Sequence, residues 1–246
     1  MEMRVMIIGG TSGIGLALAT HYARQGAQLA LCGRDPSRLD GQPVAAHPGL
    51  RRYGFDIADR QAVFDAVADF AGEGLDLLVV TAGQYADAGA IAQDRMRSLP
   101  LVRTNVSGLC HAFDAGAQAM LPNGRGQMAV VASIAGLLQE YPGGSLYSAS
   151  KRAAIAIGDA YRRALAPHGV AVTTIVPGYV DTQKLRDLNG GTARRKPFLQ
   201  TEEEAVRRIA RAIADRETHC IFPWQLHALV RVFNLLPKGL QRMRRK

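Results

Sequence analysis

Tyr147 and Lys151 stand four residues apart in Tyr147-Ser148-Ala149-Ser150-Lys151, which runs on into Ala153, Ala154, Ile155, Ala156 and Ile157. Small and apolar residues in this order predict a helix, and a spacing of about one turn puts phenol and ammonium on one face. A free phenol titrates at roughly 10 and is a poor proton carrier at neutral pH. A cation held beside it favours the phenolate and brings the pKa toward the working range. The pair therefore points to general acid–base chemistry. Two such residues meet in many helices, so the surrounding elements must supply a cofactor and a second hydrogen-bond donor.

The amino-terminal stretch reads as the cofactor site. Arg4 to Ile8 is a short apolar run, read as a buried strand, and Gly9-Gly10-Thr11-Ser12-Gly13-Ile14-Gly15 follows it. A helical pattern then runs from Leu16 to about Gln25 and stops at Gly26. Strand, glycine turn and helix give such a motif its meaning: the glycines permit a tight turn and let backbone approach a pyrophosphate at the helix N-terminus. The spacing Gly9, Gly13, Gly15 is Gly-xxx-Gly-x-Gly, where Gly-x-Gly-xx-Gly is commoner. The second strand, Gln28 to Cys32, has no acid at its tip, and Arg34 follows. A guanidinium suits a ribose 2′-phosphate, which points to NADP over NAD. Asp35 is the feature that would favour NAD, since it could pair with Arg34 or meet the ribose itself.

Strands and helices alternate onward. Leu50 to Phe55 reads as the third strand, ending at Asp56, and Asp59 to about Phe70 as a helix. Leu75 to Thr81 reads as a fourth strand, apolar enough to be central in a parallel sheet. Ile91 to about Met120 reads as one helical region broken at Pro100, with Asn105 inside it, where an asparagine costs some stability. The functional reading of Asn105 is a side chain, or a locally disturbed backbone, that holds a water. Gly126 to Ala132 is a fifth strand ending at Ser133, so that hydroxyl sits on the ligand side of the sheet and can return beside Tyr147. Val170 to Val176 is the sixth strand, leading into Pro177-Gly178-Tyr179-Val180-Asp181-Thr182.

Five motifs in order resemble the short-chain dehydrogenase/reductase superfamily in its single-domain, NAD(P)-dependent form. They are the glycine turn, Asp56, Ala82-Gly83, the set Asn105, Ser133, Tyr147 and Lys151, and Pro177-Gly178 with Thr182. The resemblance implies a doubly wound, Rossmann-type, three-layer α/β fold with a mostly parallel seven-stranded sheet. It implies an oxidoreductase that reduces a ketone or 3-oxo carbonyl, or oxidises the secondary alcohol, by hydride transfer. Tyr147 would be the general acid or base, Lys151 would lower its pKa and bind the nicotinamide ribose, Ser133 would donate to the substrate oxygen, and Asn105 would hold a water in a proton relay. Cofactor contacts would come from Gly9, Thr11, Ser12, Gly13, Ile14, Gly15, Arg34, Asp56, Ile57, Ala82, Gly83, Tyr147, Lys151, Pro177, Gly178, Val180 and Thr182. By family position, Gln139, Tyr141, Tyr179 and Tyr85 would line the substrate pocket. The family usually has Asn-Asn-Ala-Gly after the fourth strand; Val80-Thr81-Ala82-Gly83 here would lose the amides that brace the central strand. Family members usually form oligomers through the two helices that carry Asn105 and Tyr147, which implies a homodimer or homotetramer.

Composition narrows the alternatives. The chain of 246 residues is long enough for one sizeable α/β domain, here residues 1–222 with a substrate lid near 183–200, and a basic extension at 223–246. Cys32, Cys110 and Cys220 are scattered, so neither a disulfide framework nor a metal site is expected. Met-Glu-Met-Arg lacks a signal-peptide pattern and no apolar run reaches membrane-span length, so a cytoplasmic protein is expected. The formal charge is +9, yet from Ile221 on the chain carries Arg231, Lys238, Arg242, Arg244, Arg245 and Lys246 and no acid. Basicity confined in this way, without a reader motif, argues against nucleic acid. Leu226, Leu229, Val230, Phe233, Leu236, Leu240 and Met243 recur at helical spacing, with Pro237 expected to divide them into two short helices. Such a segment packs on protein or lies peripherally on an anionic membrane. The rival readings are an NAD-preferring alcohol dehydrogenase and a nucleotide-binding scaffold without turnover. The second gives no chemical need for Tyr147 and Lys151 together.

Overall fold

The computed structural model describes residues 2–72, 74–86, 96, 98–138 and 145–237. Seven strands form one parallel sheet: β1 (Arg4–Ile8), β2 (Gln28–Gly33), β3 (Leu50–Gly54), β4 (Leu77–Val80), β5 (Gly126–Val131), β6 (Val170–Pro177) and β7 (His219–Phe222), in the order β3-β2-β1-β4-β5-β6-β7. The sheet is wholly parallel, where a mostly parallel one was expected. Every residue of β4 and β5 is buried, which is why they read as continuous apolar runs. The chain leaves β1 toward β2 and β3, then returns to place β4 on the other side of β1. That reversal opens a crevice at the carboxyl ends of β1 and β4, the general ligand position in such sheets.

Alternate residues feed two cores. Met6 and Ile8 pack with α2 (Arg60–Ala71) and with α4 (Gly108–Met120) on one face, through Phe70 and Phe113. Val5 and Ile7 pack on the other face with α1 (Gly13–Arg24) and α7 (Glu202–Ala214), through Leu18 and Ile209. The period of two in a strand puts successive side chains into these opposite layers. Helix starts follow local chemistry. The Asp59 carboxylate accepts the Ala62 N–H at α2, and Thr201 and Glu204 form a reciprocal capping box at α7.

One expected break differs. Pro100 lies inside α3 (Ser98–Val102), close to the start of the described helix, where a missing N–H costs least. The disturbance comes instead at Arg103–Ser107, a π-helical turn between α3 and α4 that contains Asn105. After β7, α8 (Trp224–Leu235) stops before Pro237; a second helix beyond it, like residues 91–95 of the expected long helix, falls outside the described residues.

Candidate active site

Tyr147 and Lys151 both stand in the first turns of α5 (Leu146–Leu165), whose N-cap Ser145 accepts the Ser148 N–H. The helix lies against β5 and β6, so this end points at the carboxyl edge of the sheet. Lys151 is buried, and its Nζ donates to the Val131 carbonyl at 2.9 Å. The same Nζ is 5.9 Å from the centre of the Tyr147 ring. Burial, with Lys184 nearby adding to it, pushes the Lys151 pKa down to about 8. Ser133 follows β5, and its hydroxyl lies beside the Tyr147 phenol, where it favours the phenolate. Its Oγ also accepts the Ala135 N–H at 3.2 Å, which leaves the hydroxyl proton free to be donated. Tyr85 packs edge-on against Tyr147 with ring centroids 4.9 Å apart.

The Tyr147 pKa does not fall in this arrangement. Burial raises it, the Ser133 hydroxyl acts the other way, and Tyr85 adds to the rise. The ammonium is spent on the Val131 carbonyl and faces the ring, so the lowering expected from Lys151 is absent.

Asn105 is buried under this pair. Its Oδ1 accepts the Gln84 N–H at 2.7 Å, and its Nδ2 donates to the Gln84 carbonyl at 3.0 Å and to Ser150 Oγ at 2.9 Å. Ser150 in turn donates to the Tyr147 carbonyl at 2.8 Å. The amide therefore ties the end of β4 to α5, and both Nδ2 protons are engaged. Gln84 and Ser150 were not foreseen as site residues. Ser150 does carry a signal, since it stands three residues from Tyr147 on the same helical face.

The glycine turn fits a dinucleotide. Ser12 at the N-cap of α1 makes no side-chain cap, and the first turn has no acid, so the helix end offers open N–H donors and positive potential. Gly9 and Gly13 adopt left-handed φ of 95° and 51°. A Cβ on Gly15 would lie 2.2 Å from the Gly9 carbonyl oxygen, and one on Gly9 would lie 2.5 Å from the Ala82 nitrogen. Only glycine lets the turn close on the end of β4 in this way. Buried Thr11 packs under Gly33, and partly buried Ile14 joins the core below the turn. Across the crevice, Thr182 caps α6 (Gln183–Asp187) by accepting the Leu185 N–H, and its methyl lies 3.5 Å from where a Gly13 Cβ would be.

Arg34 is exposed at the end of β2. Asp35 Oδ1 accepts both the N–H and the hydroxyl of Ser37, so it caps the turn Pro36–Leu39. Asp56 is exposed and accepts the Ala58 N–H, whereas the Ile57 side chain is buried against Gly108. Pro177 and Gly178 face another element: a Cβ on Gly178 would lie 2.8 Å from Leu226 and 2.9 Å from Pro223. Val180 is buried and bridges to Gln200, and the Lys196 ammonium lies 5.3 Å from the Tyr179 ring. Gln139 and Tyr141 fall outside the described residues. No group of three metal-ligating side chains occurs among the described residues.

Residues 3–209 match the family model described as short chain dehydrogenase. The chain belongs to the short-chain dehydrogenase/reductase family. It is an NAD(P)-dependent dehydrogenase/reductase. An uncharacterised oxidoreductase of Myxococcus xanthus is 29% identical, over 96% of this chain and 93% of its own length. Gluconate 5-dehydrogenase of Gluconobacter oxydans is 31% identical, over 73% and 72%. Among solved structures, a short chain dehydrogenase from Burkholderia cenocepacia in complex with NADP has a TM-score of 0.82 at 22% identity, over 97% of this chain and 95% of its own. A short chain dehydrogenase/reductase family protein reaches 0.72 at 31% identity, over 85% and 88%.

This dehydrogenase keeps its strand brace by another route. Thr81 Oγ1 donates to the Gly9 carbonyl at 3.0 Å, alongside the backbone bonds from Thr81 and Ala82 to Ile8. A hydroxyl thus does the tethering for which amides were expected.

Proposed function

We propose that this dehydrogenase passes hydride between NADP(H) and the carbon of a carbonyl or secondary alcohol, with Tyr147 carrying the proton. The observation that carries the reading is that the Ser133 hydroxyl, the Tyr147 phenol and buried Lys151 meet at the carboxyl edge that also holds the glycine turn. When bound, the nicotinamide cofactor supplies the hydride chemistry. The chain's residues then bind, orient and move the proton. Gly9, Gly13 and Gly15 with the start of α1 hold the pyrophosphate, Asp56 meets the adenine end, and Thr182 closes on the nicotinamide end.

In reduction, Tyr147 protonates the carbonyl oxygen, and its raised pKa keeps that proton in place until substrate arrives. Ser133 donates to the same oxygen as negative charge builds there. Lys151, held by the Val131 carbonyl, would hydrogen-bond the nicotinamide ribose and so fix the cofactor beside Tyr147. The π-helical turn at Asn105 leaves backbone carbonyls without their usual α-helical partners, which suits the holding of a water that refills the proton.

Arg34 favours NADP, because its exposed guanidinium matches a 2′-phosphate while Asp35 is engaged with Ser37. The NADP complex of the Burkholderia cenocepacia relative and the NADPH complex of a Sphingobium yanoikuyae one, matched at a TM-score of 0.80, lend support. Fluorescence titration with NADPH and NADH, for the parent and Arg34→Ala, tests this. We expect preference for NADPH, with about tenfold weaker NADPH binding in the variant and NADH binding unchanged. Preference for NADH would overturn the cofactor assignment, and binding of neither would overturn the enzymatic reading. Assembly through α4 and α5 as a homodimer or homotetramer belongs to the same proposal.

A further inference from the structure

The described part of the segment after β7 has two apolar faces, and among the described residues one of them packs on the body. Toward the body, α8 buries Leu226 and Val230, and Asn234 donates to the Leu137 carbonyl at 2.8 Å. On the outside, Trp224, Ala228, Val232 and Leu235 recur at steps of four, four and three residues, which is one helical stripe. Trp224 is 68% exposed, Val232 59% and Leu235 84%, and Leu229 beside them is 54% exposed. A solvated helix face normally carries polar residues, whereas this one carries exposed Arg231 at its edge and no acid anywhere along the helix.

We propose that the outward face of α8 docks on the surface of an anionic lipid bilayer. Charge decides between the occupants of such a face. From Ile221 on, the chain has six basic residues and no acidic one, and five of the six follow α8 in sequence. A second copy would bring only more of the same basic charge and no acid from this segment to offset it. An anionic headgroup layer neutralises that charge, while tryptophan and aliphatic side chains enter the boundary between headgroups and chains. No described helix is long and apolar enough to cross the membrane, so the contact is one of lying on the surface. The inner face of α8 packs on Gly178 and on the segment after Ser133, so docking would bring that segment close to the lipid. The docking stands independently of the reaction proposed above.

The test uses the full chain and sucrose-loaded vesicles of phosphatidylcholine alone or with phosphatidylserine. The comparison is with Trp224→Ser/Val232→Ser/Leu235→Ser, all exposed positions, whose fold is checked by circular dichroism melting. The parent should sediment with the phosphatidylserine vesicles and far less with phosphatidylcholine, and high salt should weaken it. The triple variant should bind at least about tenfold more weakly. A parent that ignores the phosphatidylserine vesicles would overturn the proposal. So would a triple variant that binds as well as the parent, because charge alone would then suffice. Light scattering that shows the triple variant breaking an oligomer, while the parent ignores vesicles, would assign the face to a second copy.

Discussion

The Lys184 ammonium donates to the Gly83 carbonyl at 2.8 Å, tying α6 across the crevice to the end of β4. On the other side of the same glycine, Lys151 Nζ lies 3.3 Å from where a Cβ would be. Two ammoniums therefore flank one backbone position. Desolvation at this tie, with the Arg34 guanidinium, holds the Lys184 pKa below the ordinary lysine value, although the residue as a whole stays exposed.

Removing the outer ammonium should be felt by the inner one. Lys184→Met takes away a charge that lowers the Lys151 pKa, so the alkaline limb of the kcat/KM profile should move upward. Activity at neutral pH should stay within about threefold, since the pair is partly screened by solvent. A profile recorded from pH 6 to pH 10 for parent and variant checks this, and an unmoved limb would show that the two charges are not coupled.

Tyr147→Phe should lose about 10²- to 10⁴-fold in kcat while cofactor binding is kept, because it removes the proton carrier and leaves the glycine turn alone. Ser133→Ala should lose about 10²- to 10³-fold by removing the donor to the developing charge. The double variant should fall well short of the product of the two losses, since both act on one oxygen. Single-turnover kinetics with bound cofactor separates these effects from product release.

Lys151→Met should abolish turnover and yet stabilise the fold at neutral pH. Burial lowers the pKa from 10.5 unfolded to about 8 folded, so below about 8 the folded state carries a desolvated charge at full cost. Between about 8 and 10.5 the folded form has shed the proton that the unfolded chain keeps, so stability rises with pH. The variant should gain about 2 kcal/mol at pH 7 after losing the bond to Val131, and the gain should shrink as pH approaches 10. Denaturant unfolding at both pH values measures it.

Asn105→Ala should destabilise by about 2–4 kcal/mol, because it strands the Gln84 N–H and carbonyl and removes the link to Ser150. The slope with denaturant should not change. A cost below about 1 kcal/mol would mean that water replaces the amide fully.

Much of the scaffold was legible because its signals are local. β1 could be bounded at Arg4–Ile8 from an apolar run that ends at glycine, and the α7 start from Thr201 and its glutamates. The π-helical turn was foreshadowed only as an awkward asparagine in a helix. Its form needed the partner Gln84, 21 residues away, which no window of sequence connects to it. The extension after β7 was read as a basic segment with apolar residues at helical spacing. In the fold, Leu226 and Val230 of that apolar set face inward while Leu229 stays exposed, and the stripe Trp224, Ala228, Val232, Leu235 makes the outer side apolar as well.

The sequence by itself determined the order of strands and helices and the glycine turn, since periodicity and φ requirements act over a few residues, and its resemblance to the family pointed to the acid–base set. Tertiary structure alone decided where the charges point. Lys151 turns to Val131 rather than to the phenol, burial raises the Tyr147 pKa, and Lys184 reaches Gly83 from 101 residues away. Desolvation and long-range hydrogen bonds depend on which surfaces meet, and that is settled only when the sheet closes and the segments after β5 and β6 come together over its edge.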